Sequence, residues 1–319
     1  MLPGRPGTKL AALTVVDERL DFLTNLFKPK KTTHTKMELL LPSEVPRASA
    51  DKGEGGLWNQ LRVCDGFLHV VRNFMDSAGN SPTPEQDFWS LEEEMILDDL
   101  GVAEKRIERL EADRKKGKKD AEEEPVLIEA CMKVLGEGRP LRNDPVLANE
   151  PALRGFTFLS AKPLLVVINN EDEDEAIPQW IRGPENAERL VVRGRLEMEL
   201  AEMNPEEAEE FREAYHIRES ALDLVIRQCY RILDRITFFT VISDEVRAWP
   251  VPTGIPALEA AGAVHSDIKR GFIRAEVVSY EDLSSLGSMQ ECKRAGKLRL
   301  EGKDYPVQDG DIIQFRFNI

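Results

Sequence analysis

The run Leu164-Leu165-Val166-Val167-Ile168 is five apolar residues in a row, closed by Asn169 and Asn170. A run of this kind cannot put alternate side chains into water. It therefore predicts a strand buried on both faces, inside a parallel sheet covered by helices. The chain supplies the rest of such a sheet. Leu10 to Val16 and Met37 to Leu41 are β-prone, Gly66 to Val71 is a third apolar strand, and Leu190-Val191-Val192 is a short fourth. Between the first two, Leu20, Leu23 and Phe27 fall at helical spacing and stop before Pro29, which predicts a helix there. Strands alternating with helices define an α/β class.

From about Phe88 the period changes. Ile96, Leu100, Ala103, Ile107 and Leu110 are spaced 4-3-4-3, the seam of a coiled coil. The segment 113–124 carries a glycine and both charge signs and reads as the solvated tip of a helical hairpin. The return helix runs from about Val126 to Leu135. Residues 85–124 hold 15 acidic and 8 basic side chains, the wet face of a helix pair. Helix is also expected from Leu196 to Met203 and over 205–233. Beyond Ile236, short β-rich segments are punctuated by Gly254, Gly271, Gly287, Gly296, Gly302 and Asp309-Gly310, the pattern of a small mixed sheet with one or two short helices.

The totals exclude some functions. A net charge of −15 over 319 residues rules out coating nucleic acid with the whole surface, because phosphate binding needs a basic face, but it leaves room for a local patch. Cys64, Cys131, Cys229 and Cys292 lie far apart, with no C-x-x-C spacing, as expected of thiols in a reducing compartment. No stretch is apolar for long enough to span a bilayer, and the N-terminus has no signal-peptide core. The expected location is cytoplasmic, without membrane attachment.

Several strings are recognisable together. Ile236-Thr237-Phe238-Phe239-Thr240, Glu245-Val246-Arg247-Ala248-Trp249, Ala260-Ala261-Gly262, His265-x-Asp267, Gly271-Phe272-Ile273-Arg274-Ala275-Glu276 and Glu301-Gly302-Lys303-Asp304-Tyr305 resemble the C-terminal TGS domain of the Obg-like ATPases, the YchF family of translation-factor P-loop NTPases. Upstream, the resemblance extends to Val16-x-Asp-x-Arg19-Leu20, Lys52-Gly53-Glu54-Gly55, His69-Val70-Val71-Arg72 and Lys162-Pro163. It implies an α/β fold (a partial P-loop GTPase-like parallel sheet) with an inserted coiled-coil helical hairpin and a C-terminal β-grasp (TGS, ubiquitin-like) domain. The expected domains are 1–84 with 142–235, 85–141, and 236–319.

The nucleotide motifs of that family are eroded. A P-loop needs Gly-x4-Gly-Lys-Ser/Thr between strand and helix so that backbone N–H groups and the lysine cradle phosphates, and no such string occurs. Where the family has Asp-x-x-Gly, this chain has Leu41-Pro42-Ser43-Glu44. Leucine cannot hold Mg²⁺. The base-recognition motif falls on Asn169 to Asp172, leaving Asn169 and Asp172 as a weak nucleotide-base pair. The Ser-Ala-Lys that backs the base is replaced by Arg193-Gly194-Arg195. The strand missing with the P-loop belongs between Met37–Leu41 and Gly66–Val71. Its loss would leave buried strand edges at about 1–3 kcal/mol per dry group. The expectation is therefore a reading frame that continues upstream of Met1. The alternative is direct closure of those two strands on each other.

The functional expectation is a degenerate homologue that binds the ribosome or RNA, with hydrolysis lost or weak. The alternative is a fragment of an active enzyme that takes ATP or GTP with Mg²⁺. Lys52, Gly53, Glu54 and Gly55 would form a switch-like loop. Lys269, Arg270, Arg274, Lys297, Arg299 and Lys303 would face RNA, although residues 236–319 hold 10 basic and 12 acidic side chains. No catalytic residue and no resident metal site is expected, and the sequence carries no signal of oligomeric state.

Overall fold

The computed structural model describes residues 9–42, 57–116, 123–217, 219–242 and 244–318. In chain order the elements are β1 (Lys9–Thr14), α1 (Glu18–Phe27), β2 (Lys31–Thr33), β3 (Lys36–Leu41), α2 (Leu57–Leu61), β4 (Phe67–Asn73), α3 (Pro84–Lys115), α4 (Glu123–Gly136), α5 (Pro145–Ala148), β5 (Leu164–Asn170), β6 (Glu188–Val192), α6 (Gly194–Glu202), α7 (Pro205–Ala214) and α8 (Ala221–Ile232). There follow β7 (Arg235–Ile242), β8 (Glu245–Pro252), α9 (Ala257–Val264), α10 (Ser266–Arg270), β9 (Phe272–Ser279), α11 (Tyr280–Leu286), α12 (Met289–Arg294), β10 (Arg299–Glu301) and β11 (Asp311–Phe317). No helix among the described residues is long and apolar enough to cross a membrane.

Contacts divide the chain into two compact units, Met1–Leu41 with Leu233–Ile319, and Pro42–Ile232. The expected grouping put 1–84 with the first α/β domain. The reason residues up to Leu41 group elsewhere lies in α1. Asp17 caps the helix through its own carboxylate, and Lys28 closes it in the left-handed conformation at φ 48°, one residue before Pro29. Its inner face carries Leu20 and Leu23, both fully buried against Phe239, Val246, Ala248, Val278 and Ile312. Immediately after α1, β2 adds in parallel to β8, Thr32 opposite Val246.

The first unit is thus built on a six-stranded mixed sheet in the order β10-β9-β11-β7-β8-β2. One face packs on α1, α11 and α12 through Leu283 and Cys292. The other packs on α9 through Ala257, Ala260 and Ala261, with Phe238, Val277 and Ile313 beneath. Strand alternation explains the split, since Phe238 and Phe239 are neighbours on β7 yet belong to opposite cores.

In the second unit β4, β5 and β6 form a parallel three-stranded sheet. Leu164 to Val167 are at most 3% exposed and Ile168 is fully buried, so the apolar run is the sheet's centre, as its composition predicts. β4 is an edge strand, and β1 pairs antiparallel with β3 in a separate two-stranded sheet. Direct closure of the Met37–Leu41 and Gly66–Val71 strands is therefore not formed among the described residues. Helices α3 and α4 pack together through Ile96, Ala103, Ile128, Cys131 and Val134, and Arg106 pairs with Glu124 at 2.7 Å. Residues 117–122, half of the expected hairpin tip, lie outside the described residues. The single helix expected over 205–233 is two, because the chain turns at His216, whose φ is 54°.

Two buried carboxylates tie this unit together. Asp99, fully buried on α3, accepts the backbone N–H groups of Leu159 (2.9 Å) and Ser160 (2.7 Å) and pairs with Arg62 at 3.2 Å. Glu92 pairs with the buried Arg142. Burial pushes both carboxyls up, against the pull of these partners.

Candidate functional site

Three places were expected to carry function, and the folded chain treats each differently. At the end of β5, Asn169 Oδ1 accepts the Gly194 N–H at 2.9 Å, which fixes the start of α6. A Cβ on Gly194 would sit 3.0 Å from that amide oxygen, so glycine is what lets the two meet. Asn170, 3% exposed, donates to the carbonyls of Asp174 (3.0 Å) and Ala176 (2.8 Å) and accepts from Asn73. Asp172 faces Arg195 at 3.6 Å, while Arg193 pairs with Glu175 at 3.0 Å and donates to the carbonyl oxygens of Asp172 and Tyr215. Among the described residues no hydrogen bond joins Asn169 to Asp172. The acidic loop is knitted to the chain's own arginines.

Leu41, where Mg²⁺ would be held, ends β3 with 63% exposure and offers no side-chain oxygen. Ser43, Glu44 and the switch-like loop Lys52, Gly53, Glu54 and Gly55 lie outside the described residues. Among the described residues no group of His, Cys, Asp and Glu is placed to hold a metal ion.

The six cations expected to face RNA split four to two. Lys269 pairs with Glu259 at 2.6 Å, Arg270 with Asp267 at 2.7 Å and Lys297 with Asp282 at 3.0 Å. Arg299 meets Asp311 at 3.4 Å and Glu301 at 3.6 Å. It also donates to the Tyr305 hydroxyl, whose pKa burial and Asp311 push up to about 12. Arg274 and Lys303 have no ion-pair partner among the described residues.

A cleft of about 500 Å³ on the first unit was not anticipated. Its lining includes Thr240, Arg247, Trp249, His265, Asp267 and Phe317. Register places Thr240 opposite Arg247 on paired β7 and β8, and Arg247 and Trp249, two apart, share a face. The Arg247 guanidinium lies 3.9 Å from the Trp249 ring centroid, and the indole N–H donates to Thr240 Oγ1 at 3.0 Å. His265 caps α10 by accepting the Asp267 N–H on Nδ1 at 3.1 Å. The Arg-x-Trp spacing inside a strand was the available signal.

These elements define an α/β protein with a parallel sheet, a helical insertion and a C-terminal mixed-sheet domain. The chain belongs to the YchF family. It is 39% identical over 323 residues to the ribosome-binding ATPase YchF of Bacillus subtilis (strain 168), covering 96% of this chain and 88% of the relative. It is 37% identical over 318 residues to that of Escherichia coli O157:H7, covering 95% and 87%. Residues 235–318 match the family model described as "YchF-GTPase_C: Protein of unknown function (DUF933)". The structure of the Schizosaccharomyces pombe YchF GTPase superposes with a TM-score of 0.78 at 26% identity, covering 99% of this chain and 89% of that one.

Proposed function

We propose that this chain is a ribosome-associated binding protein of translation or stress control, acting in the cytoplasm, with nucleotide hydrolysis weak or lost. The observation that carries the ribosome part is kinship: relatives matched over nearly the whole chain are ribosome-binding ATPases. The hydrolysis part is supported by Leu41 at the metal position. It is supported too by Asn169, whose amide oxygen is spent on Gly194. In this reading α3 and α4 are a coiled-coil insertion and the C-terminal module is a TGS-type β-grasp domain. Of the six cations expected to face RNA, Arg274 and Lys303 have no ion-pair partner among the described residues and can meet phosphate directly. Lys269, Arg270, Lys297 and Arg299 contribute only by exchanging carboxylates for phosphates, and Lys52 to Gly55 act as a switch-like loop.

The relatives' ATPase activity favours a second reading, in which the protein binds and turns over ATP or GTP with Mg²⁺. Titration of the purified chain with each Mg·nucleotide, followed by a phosphate-release assay, separates the two. The proposal expects release at the buffer rate, and micromolar affinity with turnover would end the pseudo-enzyme part. Co-sedimentation with purified ribosomes tests the ribosome part, which is lost if the chain stays in the supernatant.

A further inference from the structure

We infer that the cleft between β7, β8, the α9–α10 turn and the end of β11 takes one nucleotide of single-stranded RNA. The inference rests on the ribosome-associated reading, since it names the chemistry by which the first unit would touch ribosomal RNA.

Four features of the cleft argue for this ligand. Arg247 has no ion-pair partner among the described residues, whereas four of the six cations expected from sequence are neutralised. Its guanidinium carbon lies over an indole, 3.9 Å from the ring centroid, and its N–H groups can serve a phosphate or a base edge. Phe317 is an exposed aromatic residue at 44%, a platform for an unstacked base. Finally, His265 accepts with Nδ1, so the neutral imidazole carries its proton on Nε2, which has no partner among the described residues.

The acidic groups do not defeat this. Glu245 is bound by Lys31 at 3.0 Å and by the Thr33 hydroxyl at 2.6 Å, and Asp267 by Arg270. Phe317 is also fixed in place. The next residue, Asn318, donates to the Gly271 carbonyl at 2.9 Å, and a Cβ on Gly271 would approach Asn318 O to 2.3 Å. Duplex RNA buries its base faces in the stack, so a platform of this kind selects single strands.

The test uses the full chain, a fluorescein-labelled single-stranded RNA octamer read by anisotropy, and a hairpin RNA as control. Arg247→Gln and Phe317→Ser should each weaken octamer binding about 5- to 100-fold, with melting temperatures unchanged and the hairpin bound more weakly than the octamer. Arg247→Lys should fall between wild type and Arg247→Gln. Equal octamer binding by wild type and both variants overturns the cleft, as does preference for the hairpin. Ribosome co-sedimentation is scored separately. A wild-type chain that pellets with ribosomes but ignores the octamer overturns the cleft alone. One that binds the octamer through Arg247 and Phe317 but never pellets leaves the cleft standing and removes the ribosome reading.

Discussion

Arg19, near the start of α1, reaches the carboxylate of Asp309 at 2.7 Å across 290 residues of sequence. The same Asp309 accepts the Thr237 N–H at 2.8 Å, and the Arg19 guanidinium lies 5.4 Å from the Phe239 ring centroid. Burial lowers the Arg19 pKa, but the hydrogen bonds it donates to Asp17 and Asp309, with the pull of their charges, outweigh this and leave it raised. An early helix is thereby stapled into a late sheet. Arg19→Met should cost about 1.5–3 kcal/mol, the range for losing a hydrogen bond to a charged group, measured by urea unfolding. A change below the error of the midpoint would show that the staple is only a surface pair of the kind worth little.

The apolar half of the same contact is the stronger one. Leu23 is fully buried against the C-terminal sheet, so Leu23→Ala should destabilise the first unit by about 2–5 kcal/mol. Hydrogen exchange of β7 and β8 amides checks this, because protection there should fall in step. Unchanged protection would mean that α1 is not part of that core.

Asp99 makes the opposite kind of claim, about a buried charge. Asp99→Ala would leave the buried N–H groups of Leu159 and Ser160 without their acceptor, while Arg62 keeps Asp98 and the Thr157 carbonyl, costing about 1–3 kcal/mol for each N–H. Asp99→Asn keeps an acceptor oxygen and should cost less. Equal losses would indicate that the charge alone matters and not the acceptance of the Leu159 and Ser160 amides.

His69 supplies a pH dependence. It stacks on Phe88 with ring centroids 5.4 Å apart, its Nδ1 has no partner, and burial, aided by Arg142, lowers its pKa from 6.5 to about 4. The unfolded chain therefore binds the extra proton between those values. This contribution is fully present above about 6.5 and is lost as pH falls toward 4, by up to about 3 kcal/mol. His69→Phe should remove that acid-side slope from urea midpoints taken from pH 7 to pH 4. An identical slope in the variant would assign it to other groups.

Local pattern carried the sequence reading where the determinants were local. The Leu164–Ile168 run could only be a buried strand, and the Ile96 to Leu110 spacing marked the face that α4 covers. What stayed hidden depends on partners far away in sequence. An amphipathic α1 announces an apolar face but not which sheet receives it, so its contacts with the C-terminal sheet could not be read from the sequence. Four cations of the cluster are paired, because folding sets Glu259 beside Lys269 and Asp282 beside Lys297. Neither pairing follows from a charge count. Asn169 could be placed at a strand end, yet its bond to Gly194 depends on where α6 begins. Arg247 and Trp249 share a face only because Glu245–Pro252 is a strand.

The central claim is ribosome association that does not depend on nucleotide turnover. Co-sedimentation of the purified chain with ribosomes, with and without Mg·ATP or Mg·GTP, over about 50–200 mM salt, tests it most directly. The account predicts pelleting at low salt that fades as salt rises and is unchanged by nucleotide. Pelleting that appears only when nucleotide is added, or none under any condition, would contradict it.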